Sequence, residues 1–294
     1  MKKFLYLPLF IIITAVFIYL FAADKSTLYL SHNFLHKRII SLSPAVTESI
    51  YTLEKDKHLV GVTMYCTHPP EAKQKTNVGS LREPNIETIV KLKPDLVITS
   101  KEDQKREKVI KIRKLGIPVL LLSENGNFND IINNFIILSQ TLGKENKARK
   151  IVKSLKIKLK TIEQKITTKT SRAKVFCALG MNPLITTANG SFLDEAIIRA
   201  GGINIAHNSL LRYPVYSIEE VVKQNPDIII LITMNKQKDY KSLWTKYNSI
   251  KAVENDKIYT IEADKVCRPT PETFVNTVEL FYTLFNKKTN NKDI

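Results

Sequence analysis

The sequence predicts an α/β fold of two Rossmann-like lobes, each with a central, mostly parallel sheet, joined by a single long rigid α-helix, with a cleft between the lobes. Three observations predict it. A pattern running from Ile86-Glu87 to Lys93-Pro94-Asp95-Leu96-Val97-Ile98 recurs from Ile218-Glu219 to Asn225-Pro226-Asp227-Ile228-Ile229-Ile230. In each copy a short amphipathic helix stops at a proline that cannot continue it, and the apolar run that follows suits a strand buried on both faces. Between the copies, residues 144–167 keep one helical period through Ile151, Leu155, Leu159, Ile162 and Ile166. Finally, residues 38–42 read as a strand that feeds a helix, with Ser43 as N-cap and Pro44 at the first helical position.

Taken in order, Lys2 and Lys3 precede a charge-free stretch at 4–23, the charge pattern of an export signal. Its twenty residues, at about 1.5 Å each, also match the roughly 30 Å hydrocarbon core of a bilayer, so residues 1–23 are either a signal peptide or an uncleaved N-terminal anchor. No cysteine follows that run, which leaves no lipid-modified tether. A linker is expected at 24–37, an N-terminal α/β lobe at 38–142, the connecting helix at 143–170, a C-terminal α/β lobe at 171–286 and a disordered tail at 287–294. In the first lobe, 129–142 reads as a helix broken by Gly143. In the second, 173–179 is the matching first strand, and Ser191 with Asp194 forms a capping box for a helix ending at Gly201. A chain of 294 residues is long enough for each lobe to bury its own core.

The formal charge of +17 comes mostly from lysines scattered over helical faces, without aromatic interleaving, which argues against nucleic acid. The densest stretch, 144–174, solvates an exposed helix and suits contact with anionic lipid head groups. Cys66, Cys177 and Cys267 form no disulfide framework and no metal knuckle. Cys177, in an apolar run, reads as a buried small hydrophobe. No nucleophile with a base appears among the histidines and serines, so no catalytic residue and no metal site is expected.

In open α/β sheets, ligands bind beyond the carboxyl ends of the strands, which makes the Ser43-Pro44 turn a ligand-binding candidate. From Arg38 to Phe285 the chain resembles the helical-backbone class of periplasmic binding proteins, which bind cobalamin, ferric siderophores, haem or metal ions for ABC importers. The resemblance rests on Ile39-Ile40-Ser41-Leu42-Ser43-Pro44, on Tyr65 before Pro69-Pro70-Glu71-Ala72, and on the repeated Pro-Asp strands. It continues through Gly180-Met181-Asn182-Pro183, Gly190-Ser191-Phe192, Gly201-Gly202-Ile203-Asn204 and Arg268-Pro269-Thr270-Pro271. Tyr65 before the Pro-Pro turn and Tyr213-Pro214 before the second repeat place it nearest the cobalamin-binding branch.

What the resemblance implies is a corrinoid ligand held between two tyrosine walls, Tyr65 and Tyr213, with Asn182 also at the cleft; tyrosine offers apolar area with a polar edge. The alternative ligands are a ferric siderophore or haem. The protein has no cofactor of its own; what it binds is a cobalt corrinoid, an iron chelate or haem. One departure stands out: where the branch places a tryptophan after a Gly-Ser turn, this chain has Gly79-Ser80-Leu81-Arg82. Leu81 keeps a smaller apolar contact, while Arg82 and Arg268 either pair with anionic groups of the ligand or form ion pairs within the protein. Cys66 and Cys267 line the cleft rather than bind metal. The resemblance further assigns Glu87 and Glu219 to docking on a permease dimer with a cytoplasmic ATPase, one carboxylate per lobe of a monomer. A reading of another class is a membrane-anchored ligand sensor without a transport role.

Overall fold

Near-continuous apolar runs demand strands covered on both faces, and the computed structural model has two such sheets. The structure describes residues 36–103, 105–123, 126–166, 172–234 and 239–287. The expected signal or anchor, most of the linker and the tail from 288 lie outside the described residues. The first sheet joins β1 (Ile39–Ser41), β2 (Leu59–Val62), β3 (Thr76–Asn77), β4 (Leu96–Ser100) and β5 (Val119–Leu122) in the order β3-β2-β1-β4-β5, every pair parallel. The second joins β6 (Lys174–Met181), β7 (Leu184–Thr186), β8 (Ile203–Asn204), β9 (Ile228–Thr233) and β10 (Ile258–Glu262) in the order β10-β9-β6-β7, with β8 also on β6 and only β7 antiparallel.

Around the first sheet run α1 (Pro44–Thr52), α2 (Ile86–Lys91), α3 (Glu107–Lys114) and α4 (Phe128–Thr141); α5 (Glu145–Ile166) follows. The second carries α6 (Phe192–Arg199), α7 (Ile218–Gln224), α8 (Lys251–Glu254), α9 (Ala263–Val266) and α10 (Pro271–Phe285). Gly143, at φ +65, turns α4 into α5 where a side chain would be strained. With 22 residues, α5 is about 33 Å long. Among the described residues no helix is long and apolar enough to cross a membrane.

The repeat has a mechanical reason that its sequence does not display. Asp95 closes the ladder at the base of β1: its backbone N–H donates to the Arg38 carbonyl, and its carboxylate accepts the Lys37 and Arg38 N–H groups at 2.7 and 3.2 Å. Asp227 does the same at the base of β6, donating to the Lys174 carbonyl and accepting the Lys174 N–H at 2.8 Å. The preceding helices are capped alike, Asn85 accepting from the Thr88 N–H and Ser217 from the Glu220 N–H. Each copy therefore ties a helix, a turn and a strand to the first strand of its own sheet.

The two-residue period of the strands sorts the core into three parts. Ile39 and Ile98 of the first sheet, and Val175, Cys177, Ile228 and Ile230 of the second, point to one shared cluster with Val46 of α1, Phe135 of α4, Leu159 and Ile162 of α5, Ile197 of α6 and Phe281 of α10. The alternate residues face outward: Ile40 and Val97 pack on Ile89 of α2 and Ile112 of α3, while Phe176, Ile229 and Leu231 pack on Val221 of α7 and Trp244. Each sheet owns its outer layer, but the inner layers merge through α5, because α5 offers apolar residues to both sides.

Candidate ligand-binding cleft

The turns beyond the carboxyl ends of the strands carry most of the expected site residues. After β1, Ser43 is fully buried and its hydroxyl is spent on capping α1, accepting from the Val46 N–H. Pro44, half-buried, follows at the first helical position. Ser43 lines a shallow recess of about 30 Å³ with Ala45, Ser49, Ser123 and Asn134 of the first half and Pro269 and Pro271 of the second. That is room for a water-sized group and far too small for a macrocycle.

After β2 the chain splits two neighbours to opposite fates. Tyr65 is 59% exposed, as is Met64 beside it, whereas Cys66 is sealed. The Cys66 sulfur lies 3.1 Å from both the Thr47 and Thr63 hydroxyls, and Thr47 in turn donates to Ser41. The expectation that Cys66 lines the cleft is corrected: it is buried in the apolar core and fastens α1 to the β2 turn through the Thr47 and Thr63 hydroxyls. After β3, Leu81 is half-buried against the outer layer of the first sheet, and Arg82 is exposed, with no ion-pair partner among the described residues.

In the second half, Asn182 is exposed at the tip of the β6–β7 hairpin. Burial pushes the Tyr213 hydroxyl up, Arg212 opposes that shift and Cys267 adds to it. Tyr213 is still 46% exposed, and Cys267 is exposed while burial pushes its thiol up to about 11. Cys177 lies behind, fully buried, its thiol also raised by burial. Cys267 does not meet Cys66, and among the described residues no group of three His, Cys, Asp or Glu is placed to hold a metal ion.

Arg268 is where the sequence reading changes most. Its side chain is 10% exposed and its Nε lies 3.0 Å from the Glu48 carboxylate of α1, with Nη1 3.5 Å from Asp264 and Nη2 donating to the Asp264 carbonyl. Nε and Nη1 meet those carboxylates at ion-pair distance without well-aligned hydrogen bonds. Of the two options for Arg268, the ion pair within the protein is the one formed, and its charge is already matched.

Glu48 also accepts from the Thr270 and Thr273 hydroxyls at 3.4 and 3.1 Å, so one carboxylate of the first half receives three groups of the second. Nothing in the sequence marks Glu48, an acid inside a helix. A second crossing joins His68 and Asp264 at 3.9 Å, both half-exposed. A third seats Phe128 against Phe274 with ring centroids 4.5 Å apart, its N–H donating to Glu195 at 2.6 Å. Sequence reading also passed over Leu210 and Leu211, 102% and 67% exposed, three and two residues before Tyr213. Two leucines in an otherwise polar turn were the available signal. The Ser191 cap forms, but not as a capping box: Asp194, buried, turns its carboxylate to Asn204 at 2.7 Å and His207 at 3.0 Å.

Glu87 and Glu219 occupy the same second position of α2 and α7, both exposed and, among the described residues, both without an ion pair. Residues 39–265 match the model of the periplasmic binding protein family. The chain belongs to that family. It is 30% identical over 245 residues to the vitamin B12-binding protein of Vibrio cholerae serotype O1, covering 83% of this chain and 87% of the relative. It is also 30% identical over 256 residues to the uncharacterized ABC transporter substrate-binding lipoprotein YvrC of Bacillus subtilis, covering 85% and 80%. The crystal structure of the periplasmic vitamin B12-binding protein BtuF of Vibrio cholerae superposes with a TM-score of 0.73 at 28% identity, over 86% of this chain and 97% of that one. The family binds solutes outside the cytoplasm.

Proposed function

We propose that this protein captures a corrinoid on the extracytoplasmic face of the cytoplasmic membrane and delivers it to an ABC importer. The observation that carries the reading is exposed aromatic and aliphatic surface on the turns of both halves: Met64 and Tyr65 on one, Leu210, Leu211 and Tyr213 on the other. A soluble surface does not keep such a set bare without a use, and a broad, flat, partly apolar ligand covers it. The relatives named for vitamin B12 agree in ligand class. Leu81, in place of an aromatic ring, lightens the contact, and unpaired Arg82 favours a ligand with phosphate or carboxylate groups. That arginine is also the specific reason to keep haem or a ferric siderophore as the second reading. No catalytic step is part of the proposal.

Delivery rests on Glu87 and Glu219. Equivalent carboxylates on two related halves offer two negative points to a two-fold symmetric permease, and on so basic a protein they are distinctive. Residues 1–23 export the protein or hold it at the membrane. A sensor without a transport role would leave these two acids without a task.

The test is titration of a chain from residue 24 with cobalamin, cobinamide, haemin and ferric siderophores, read by calorimetry and by thermal stabilisation. Corrinoids bind most tightly if the reading holds; tighter binding of haemin or a siderophore replaces the ligand and leaves the transport role standing. Cys267 gives an independent readout, since Cys66 and Cys177 are buried: bound ligand protects it from a maleimide.

A further inference from the structure

The outward face of α5 carries a basic stripe, whose lysines differ from the helix's other lysines in having no ion-pair partners among the described residues. Lys150, Lys153, Lys156 and Lys160 are all exposed, and at about 100° per residue they fall within one third of the helix circumference. Among the described residues none of the four has an ion-pair partner. The other positive side chains here differ: Lys147 pairs with Glu54, Arg149 with Glu145 and Lys158 with Glu279. The two acids of α5 lie at the edge of the stripe and are committed, Glu145 to Arg149 and Glu163 to Arg199. Ile157 stands in the middle of the stripe and is 60% exposed. The buried side of the same helix carries Ala148, Val152, Leu159 and Ile162, so the charged face cannot rotate inward.

We infer that this stripe is a docking surface for an anionic phospholipid bilayer. A row of lysines about 15 Å long on a rigid helix matches a plane of phosphate head groups better than it matches a compact anion, since no two of its charges converge on one point. Ile157 adds an apolar side chain at the depth of the head-group boundary. The surface is separate from the carboxylates assigned to importer docking. Glu87 and Glu219 lie on α2 and α7, which cover the outer faces of the two sheets, whereas α5 belongs to the shared inner layer. Membrane contact through α5 therefore leaves both acids free, and the inference holds whichever ligand the cleft takes.

The experiment compares partition of the full chain between vesicles of phosphatidylcholine alone and vesicles containing about one third phosphatidylglycerol; the apolar run at 4–23 enters both alike, so the difference reports charge. The expected result is a preference for the anionic vesicles that high salt removes. Replacing all four residues (Lys150→Gln, Lys153→Gln, Lys156→Gln, Lys160→Gln) lowers it roughly 600-fold, at roughly fivefold per lysine. A control with the same net charge, Lys91→Gln, Lys93→Gln, Lys111→Gln and Lys114→Gln, removes exposed lysines of the first lobe and lowers it less than about tenfold. Equal loss in the two variants would overturn the inference by reducing it to net charge, as would equal binding to both vesicle types or a wild-type preference for soluble polyphosphate over vesicles.

Discussion

The two halves share a frame and differ in what the frame displays. Asp95 and Asp227 and the caps Asn85 and Ser217 sit at matching places and do matching work, and the acids Glu87 and Glu219 sit at matching places. The rims do not match. The first half shows Met64, Tyr65 and Arg82 on short turns, while the second shows a longer apolar loop, Leu210 to Tyr213, beside Cys267. The shared parts set distances between helix and sheet; the unlike parts are the ones proposed to meet a ligand, which need complementarity to an asymmetric molecule rather than to each other.

The sharpest way to use that comparison is on the proposed docking pair. Glu87→Lys combined with Glu219→Lys is expected to abolish importer-dependent ligand uptake, with affinity in solution unchanged; each single reversal leaves part of the uptake. Uptake that survives the double reversal means the matched acids merely solvate their helices, and the resemblance of the halves has no bearing on the partner.

The next effect concerns where the halves meet. Glu48 is 22% exposed, and Arg268 loses its nearest opposite charge when that carboxylate is removed. Glu48→Ala is expected to cost about 3 kcal/mol in unfolding free energy, because a nearly buried guanidinium is left poorly compensated. Glu48→Ala with Arg268→Met recovers much of the loss, since no charge then remains to be matched. Urea unfolding of the single and double variants decides it; additive losses would mean the pair is not a unit.

Much of this was open to sequence reading and some was closed to it, for physical reasons. The repeat, the strand period and the uninterrupted pattern of α5 are local signals, and they sufficed for two sheets and a connecting rod. Caps and turns such as Ser43-Pro44 are local as well. The partners of Arg268 and Cys66 are not: each is decided by a residue on a different element, Glu48 and Thr47, whose own neighbours in sequence carry no hint of the meeting. Asp194 shows the same limit on a smaller scale, since its spacing from Ser191 fits a cap while Asn204 and His207 claim its carboxylate. Side chains whose role is fixed within one turn are legible; those fixed across the fold are not.

A smaller effect should separate the two clamps at the base of the sheets. Asp95 accepts two backbone N–H groups and Asp227 one, and both side chains are partly exposed. Asp95→Ala is therefore expected to lower stability by about 2 kcal/mol and Asp227→Ala by about 1 kcal/mol. Equal losses in denaturant unfolding would show that the carboxylate holds only one N–H in each half.

The smallest effect lies one residue before the prolines of the repeat, where the halves share a left-handed backbone but not a residue. Lys93 has φ 45 and Asn225 has φ 49. A β-carbon in this region crowds the following carbonyl, and asparagine tolerates it better than lysine because its short side chain bonds locally to the backbone. Lys93→Asn is expected to raise stability by about 0.5 kcal/mol, and Asn225→Lys to lower it by a similar amount, with the denaturant slope unchanged in both. Lys93 is exposed and carries no ion pair, so nothing is lost in the exchange. If Lys93→Asn is neutral while Asn225→Lys is costly, the asparagine matters for its bond to the Lys251 N–H at 2.9 Å rather than for its backbone, and the first half, which has no such bond, was never strained enough to need one.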